Sequence, residues 1–304
     1  MTTPTAALLL QAAAAAAGSQ QYPAGALYVV ATPIGNLADL SLRAIHVLSV
    51  VDAVGCEDTR HSAPLLRHLG LDKPLLAVHQ HNEREASAAV LARLAKGERV
   101  AYVSDAGTPA ISDPGAALVA AVQAAGHPTI PIPGASSAVS ALSVAGDTLG
   151  DGFIFVGFLP TRGGERAQAL QALAASNATQ VLFEAPHRIE ALAAALAQAC
   201  GQRSVTLCRE LTKQFETVAT LAAESLPTWL AADANRLRGE FVLVLHAMTP
   251  ALGIDATSRH DSTLKTLLGE LPLKQAVSLA AELTGAPRNA LYARALTLKA
   301  AAAD

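Results

Sequence analysis

In EDTRH (57–61), two adjacent carboxylates, Glu57 and Asp58, follow an apolar run and precede Arg60. A carboxylate so placed serves as a general base or a ribose contact, and a guanidinium pairs with phosphate. The same residues also read as an Asp-capped helix start with a local ion pair, and both readings stay open here. RELTKQFE (209–216) repeats the pattern with Arg209, Glu210 and Lys213, and FEAPHR (183–188) with Phe183, Glu184, His187 and Arg188. Pro186 holds Ala185 extended, which pins Glu184 and His187–Arg188 at a strand edge. Gly239 and Glu240 stand where a last apolar strand begins. Arg60, Arg162, Arg166, Arg188, Arg209 and Lys213 form a candidate rim for a polyanion, although each also reads as ordinary surface charge.

VSDAGTPAISDPG (103–115) turns an apolar strand into a helix through two Ser-Asp pairs. Asp113 and Pro114 are explained as a helix start, because Asp is a preferred cap and Pro suits the first helical position. Asp105 is not. It falls at the carboxyl end of a buried strand, the edge where open α/β sheets bind ligands, and is expected to face a polar ligand rather than form an Asx turn. TPIGN (32–36) occupies the first strand-to-helix turn but lacks GxGxxG, and no GxxxxGK[ST] occurs, which argues against NAD and ATP. In PGASSAVSAL (133–142), Ser136 or Ser137 is a helix-cap candidate. Three loops of Gly, Pro and small residues at neighbouring strand ends predict a pocket for a flat, fairly apolar ligand without phosphate.

The elements that position these loops follow from hydrophobic patterning. Apolar runs at 26–32, 52–57, 74–79, 99–104 and 129–133 alternate with helical stretches. Continuous rather than alternating apolar strands predict a largely parallel sheet covered on both faces. GDTLGDG (146–152) marks a junction, and five more strands follow, two gaps being too short for crossover helices, so the second sheet should be mixed. The expected organisation is a leader over 1–25 without fixed structure, α/β domains over 26–147 and 148–248, and a helix–turn–helix-like extension over 260–304 carrying Arg288, Arg294 and Lys299. Two α/β domains enclose a cleft, where small-molecule sites concentrate.

Composition narrows the classes. The chain has 304 residues, 51% hydrophobic but only 4% aromatic, and a formal net charge of −3, so any nucleic-acid contact must be local. Its Ala-rich N-terminus lacks the positive region of a secretory signal, and no apolar run reaches membrane-spanning length. Cys56, Cys200 and Cys208 form no CxxC pair, and His79 and His81 lack a third ligand, so a reducing compartment and no metal are expected.

Taken in order, LYVVATPIGNLADLSLRA, EDTRHSAPLL, VSDAGTPAISDPG, PGASSAVSAL, GFLP, FEAPHRI, RELTKQFE and GEFVLVL span residues 26–247 and resemble the small-subunit ribosomal RNA methyltransferases of the tetrapyrrole methylase superfamily. The resemblance implies S-adenosylmethionine-dependent 2′-O-methylation of a cytidine ribose in the decoding region of 16S rRNA, within the small ribosomal subunit, by a cytoplasmic homodimer. By motif position it places the cofactor against Pro33, Gly35, Ser104, Asp105, Ala106, Gly107, Ile111, Ser112, Ser136, Ser137, Phe183, Glu184, Gly239 and Glu240. A ribose hydroxyl is a weak nucleophile that a base within reach should help, and Asp58, Glu57, Lys213 and Glu210, in that order, are the candidates for it. RNA contacts fall to Arg60, Arg162, Arg166, His187, Arg188, Arg209, Arg288 and Arg294. The chain departs from the family pattern at Gln80 and at Phe183, where a ring hydroxyl is lost. A precorrin-type methylase on the same fold and a non-enzymatic ribosome-assembly binder are the alternatives.

Overall fold

The computed structural model describes residues 4–79, 82–248 and 260–301; Gln80, His81 and most of the expected linker lie outside them. Two compact units result, Met1–Ala247 and Met248–Asp304.

The first unit begins with α1 (Pro4–Ala17), followed by β1 (Leu27–Val30), α2 (Leu42–Val50), β2 (Ala53–Cys56), α3 (Thr59–His68), β3 (Leu75–Ala77), α4 (Glu83–Leu94), β4 (Val100–Val103), α5 (Ala116–Ala124), β5 (Thr129–Ile132) and α6 (Ser137–Ala145). Every strand pair is parallel, in the order β3-β2-β4-β1-β5. β2 and β4 are buried at every position, as continuous apolar strands between two helical layers must be. The leader is helical rather than unstructured. Alanine is the strongest helix former, and Ala13, Leu9 and Leu10 join the core that α2 also packs into.

Tyr102 is fully buried and satisfies its hydroxyl on the Pro114 carbonyl at 2.8 Å. Against its ring lies Gly115, at φ 122°, where an added Cβ would overlap the aromatic carbons. Gly115→Ala is expected to lower the unfolding free energy by about 2–4 kcal/mol through backbone strain and overpacking, as urea denaturation would measure. The same geometry corrects the expected helix start. α5 begins after Gly115, whose N–H donates to the Glu83 carboxylate at 2.9 Å, and Asp113 makes no cap. A local Asp-Pro preference yields here to the tertiary contact with Tyr102.

The second sheet comprises β6 (Phe153–Phe158), β7 (Thr179–Glu184), β8 (Ser204–Arg209), β9 (Thr217–Ala222) and β10 (Phe241–Leu245), with α7 (Gly163–Ala175), α8 (Ile189–Cys200) and α9 (Leu226–Ala231) between them. Its order is β6-β7-β10-β8-β9, and only β6–β7 is parallel. The three helices cover one face, while α6 packs on the other through Ala138, Ala141 and Ala145 against Val181, Cys208, Val242 and Val244. Small alanines let α6 approach the strands closely, and this seam joins the two halves. At the junction, Asp147 accepts from the Thr179 hydroxyl at 2.6 Å and the Ala247 N–H at 2.7 Å.

Burial pushes all three thiols up, Cys208 to about 11. Thiolate is the reactive form, so iodoacetamide at neutral pH should modify half-buried Cys200 slowly. Buried Cys56 and Cys208 should react only after unfolding, which peptide mass spectrometry would verify.

The second unit is a bundle of α10 (Asp261–Glu270), α11 (Leu273–Thr284) and α12 (Arg288–Ala301) around Leu264, Val277, Ala280, Leu291 and Ala295. Gly285, left-handed at φ 69°, ends α11 and turns the chain.

Candidate active site

The loops after β1, β4 and β5 are laced together at the carboxyl edge of the parallel sheet. Thr32 and Gly107 exchange backbone hydrogen bonds at 2.9 and 3.1 Å, and the Thr108 hydroxyl donates to the Ala135 carbonyl at 3.1 Å. Between residues 107 and 115, Gly107, Ala110, Ser112 and Gly115 all have positive φ, as do Glu210, Thr212 and Gly239 in the second half. At the non-glycine residues Ala110, Ser112, Glu210 and Thr212 this is strain, which persists only where the surroundings over-determine the backbone and concentrates at sites.

A cavity of about 350 Å³ lies between these loops and the second sheet. Ile34, Phe158, Phe183, Leu211 and Val242 make it apolar, Ala106 and Ser137 are its small residues, and its charged residues are Asp113, Glu184 and Glu240. Phe183 is held edge-on by Phe155 and Phe158, with ring centroids 5.1 and 5.7 Å away. Glu184 has no exposed side-chain surface. Its Oε1 accepts from Arg188 Nε at 3.0 Å and from the Ala185 N–H at 2.9 Å, while Oε2 is buried without a partner. An apolar cavity whose charged residues are all acidic fits a ligand that brings positive charge. S-adenosylmethionine, with a sulfonium, an ammonium and no phosphate, fits that description.

A second cavity, of about 220 Å³, is lined by Pro33, Ser104, Asp105, His61 and His68 among others. Successive loop residues line the two cavities in turn, Pro33 and Ile34, then Asp105 and Ala106, so the joined loops form their common wall. Asp105 does stand at this edge, but its carboxylate already has partners. Oδ1 accepts the Asp58 N–H at 3.2 Å, and Oδ2 lies 2.7 Å from His61 Nδ1. Asp105 thereby ties the β4 loop to the start of α3.

Asp58 caps α3, accepting from the Arg60 N–H at 2.8 Å and from its guanidinium. Those bonds hold its carboxyl down at about 2, which suits a cap and not a base. Glu57 is raised, first by burial and then by Asp105, Asp113 and Asp58. Burial opposes the charges of Lys213 and Glu210, yet the knot they form with Glu240 outweighs it. Lys213 Nζ reaches Glu210 at 2.8 Å and Glu240 at 3.0 Å, which keeps the ammonium up and the Glu210 carboxylate down. Neither is poised to accept a proton near neutrality. Gly35 lets the first loop reach this knot, since a Cβ there would stand 2.5 Å from Lys213 Cγ; Gly239, at φ 94°, likewise admits Glu210.

The remaining sequence candidates divide. Ser136 caps α6, Ile111 is exposed, and Ser112 approaches Gly157 of β6. Arg60, Arg162, His187 and Arg288 are exposed, and Arg166 donates to the Pro160 carbonyl at 3.1 Å. Three assigned RNA contacts need correction. Arg188 is spent on Glu184 and on the Leu159 carbonyl; Arg209 is 8% exposed and donates to the Phe215 carbonyl at 2.9 Å; Arg294 pairs through two nitrogens with Asp261. Arg188 and Arg209 read as rim residues, and Arg294 as a basic position of the C-terminal extension, because burial and pairing depend on neighbours far along the chain. His61 is the converse, a site residue that EDTRH contains but that only the fold distinguishes. Among the described residues no cluster of His, Cys, Asp and Glu is placed to hold a metal, and no helix is long and apolar enough to cross a membrane.

Residues 26–227 match the family model for tetrapyrrole (corrin/porphyrin) methylases, and residues 254–299 match that for the RsmI C-terminal HTH domain. A ribosomal RNA small subunit methyltransferase I of Pseudomonas aeruginosa is 47% identical over 275 residues, covering 90% of this chain and 97% of the relative. The protein of that name from Escherichia coli O157:H7 is 44% identical, covering 90% and 95%. Among solved structures, diphthine synthase superposes with a TM-score of 0.55 at 18% identity, covering 73% of this chain and 90% of that one. A uroporphyrin-III-C-methyltransferase of Thermus thermophilus does so with 0.52 at 24%, covering 73% and 94%; both share the fold. With its two sheets, its strand-end cavity and these relatives, the chain belongs to the tetrapyrrole methylase family and, within it, with the ribosomal RNA small subunit methyltransferase I proteins.

Proposed function

We propose that the chain transfers a methyl group from S-adenosylmethionine to the 2′-oxygen of a cytidine ribose in the decoding region of 16S rRNA, acting on the small ribosomal subunit as a cytoplasmic homodimer. The observation that carries the cofactor assignment is the acidic, otherwise apolar cavity between the strand-end loops and the second sheet. The substrate class rests on relatives at 41–47% identity named for small-subunit ribosomal RNA.

Ile34, Phe158 and Phe183 would enclose the adenosine portion, and Asp113 and Glu240 would face positive charge. When bound, the sulfonium supplies an already activated methyl, so the chain's task is to hold an acceptor oxygen in line and take its proton. Exposed Arg60, Arg162, His187 and Arg288 offer cationic contacts to phosphate.

The test is incubation with radiolabelled S-adenosylmethionine and either 30S subunits, free 16S rRNA or uroporphyrinogen, followed by mapping of the label. Label on a cytidine ribose in the 30S arm is the expected result. Label on the porphyrinogen, or on a base, overturns it.

A further inference from the structure

We propose that His61, oriented by Asp105, is the catalytic residue that takes the proton from the acceptor hydroxyl; the assignment rests on the methyl-transfer reading above. Nδ1 of His61 lies 2.7 Å from Asp105 Oδ2, and Asp105 Oδ1 is itself held by the Asp58 N–H at 3.2 Å. Two elements therefore set the imidazole. With Nδ1 bonded to the carboxylate, Nε2 of the neutral ring keeps its lone pair, as a base requires. His61 keeps 64% of its side chain exposed, so an incoming ribose can reach it. It lines the smaller cavity beside Pro33 and Ser104, on the common wall with the cavity assigned to the cofactor.

Other candidates are committed elsewhere. Asp58 caps a helix, Glu210 and Lys213 neutralise each other, and Glu57 lines neither cavity. Asp105 is the largest influence on His61 and raises it; Asp58 also raises it, Arg60 lowers it, and Glu57 and His68 complete the titratable surroundings. In the transfer step, the hydroxyl oxygen forms a bond to the methyl carbon as the carbon–sulfur bond breaks. The sulfur keeps that electron pair and becomes a neutral thioether. The hydroxyl proton passes to His61 Nε2 and then to solvent.

The experiment compares wild type, H61Q and D105N by single-turnover methyl transfer to 30S subunits across pH, by cofactor calorimetry, and by NMR titration of the His61 imidazole in ligand-free protein. H61Q should lose about 10²–10⁴-fold in rate while binding cofactor as wild type does. The wild-type rate should rise about tenfold per pH unit up to the His61 pKa and then level, a limb absent from H61Q. D105N should move both that limb and the His61 NMR titration to lower pH together, whereas a pair with no part in the reaction would move the NMR titration alone. Transfer by H61Q within about threefold of wild type, against the expected range, overturns the assignment of His61 alone. An unmoved NMR titration in D105N overturns the role of Asp105. No transfer by wild type to any RNA overturns the ribosomal reading and the assignment with it.

Discussion

Arg188→Ala is expected to destabilise the protein by about 3–5 kcal/mol and to weaken cofactor binding, because it leaves the carboxylate of Glu184 buried without its cation. Glu184 has no exposed side-chain surface, and Arg188 is the only cation bonded to it among the described residues. The guanidinium also donates to the Leu159 carbonyl at 2.6 Å, so its loss frees a second acceptor and loosens the end of β6. Glu184 and Phe158 line the larger cavity, and both would shift. The sequence alone placed Arg188 on an RNA-facing rim, where alanine would spare the cofactor and reduce methylation. Chemical denaturation with calorimetry separates the two views: native stability with wild-type cofactor affinity would refute the buried-pair account. Arg188→Lys should recover only part of the loss, since one ammonium does not reproduce the guanidinium's simultaneous bonds to carboxylate and carbonyl.

Arg203→Met should cost about 4 kcal/mol or more, by leaving several buried carbonyls unmatched. Arg203 is 6% exposed and donates to four of them: His246 at 2.6 Å, Ser176 at 2.7 Å, Ala178 at 2.7 Å and Leu173 at 3.1 Å. It thereby clamps the ends of α7 and β10 to the start of β8, opposite the strand ends that line the cavity. Methionine matches the volume but supplies no donor. The expected result is a large fall in the urea midpoint, with cofactor affinity unchanged at temperatures where the variant remains folded. A midpoint within experimental error of wild type would show that water replaces these bonds without penalty.

Much of the architecture is legible because its signals are local. Continuous apolar strands announced the parallel sheet, and gaps too short for crossover helices announced a mixed second sheet, although two were expected and only 210–216 is that short. Asp58 as a cap was one of two readings of EDTRH, and its hydrogen bonds to Arg60 select it. Asp105 was legible as a strand-end carboxylate, but its partners, Asp58 and His61, are 47 and 44 residues away in sequence. Asp113 was misread because the Asp-Pro signature is local, whereas the close approach of Gly115 to Tyr102 is not.

The sequence by itself determined which residue types stand at the carboxyl ends of the strands, since strand periodicity and loop chemistry are properties of short segments. It also lacks the phosphate-binding glycine patterns, which argues against NAD and ATP. Only the tertiary structure decided which charges are free to act. Burial and pairing depend on segments brought together from across the chain, and they turned Arg188, Arg209 and Arg294 from surface candidates into internal ties. The same long-range contact set His61 against Asp105, placing an oriented imidazole beside the cavity wall.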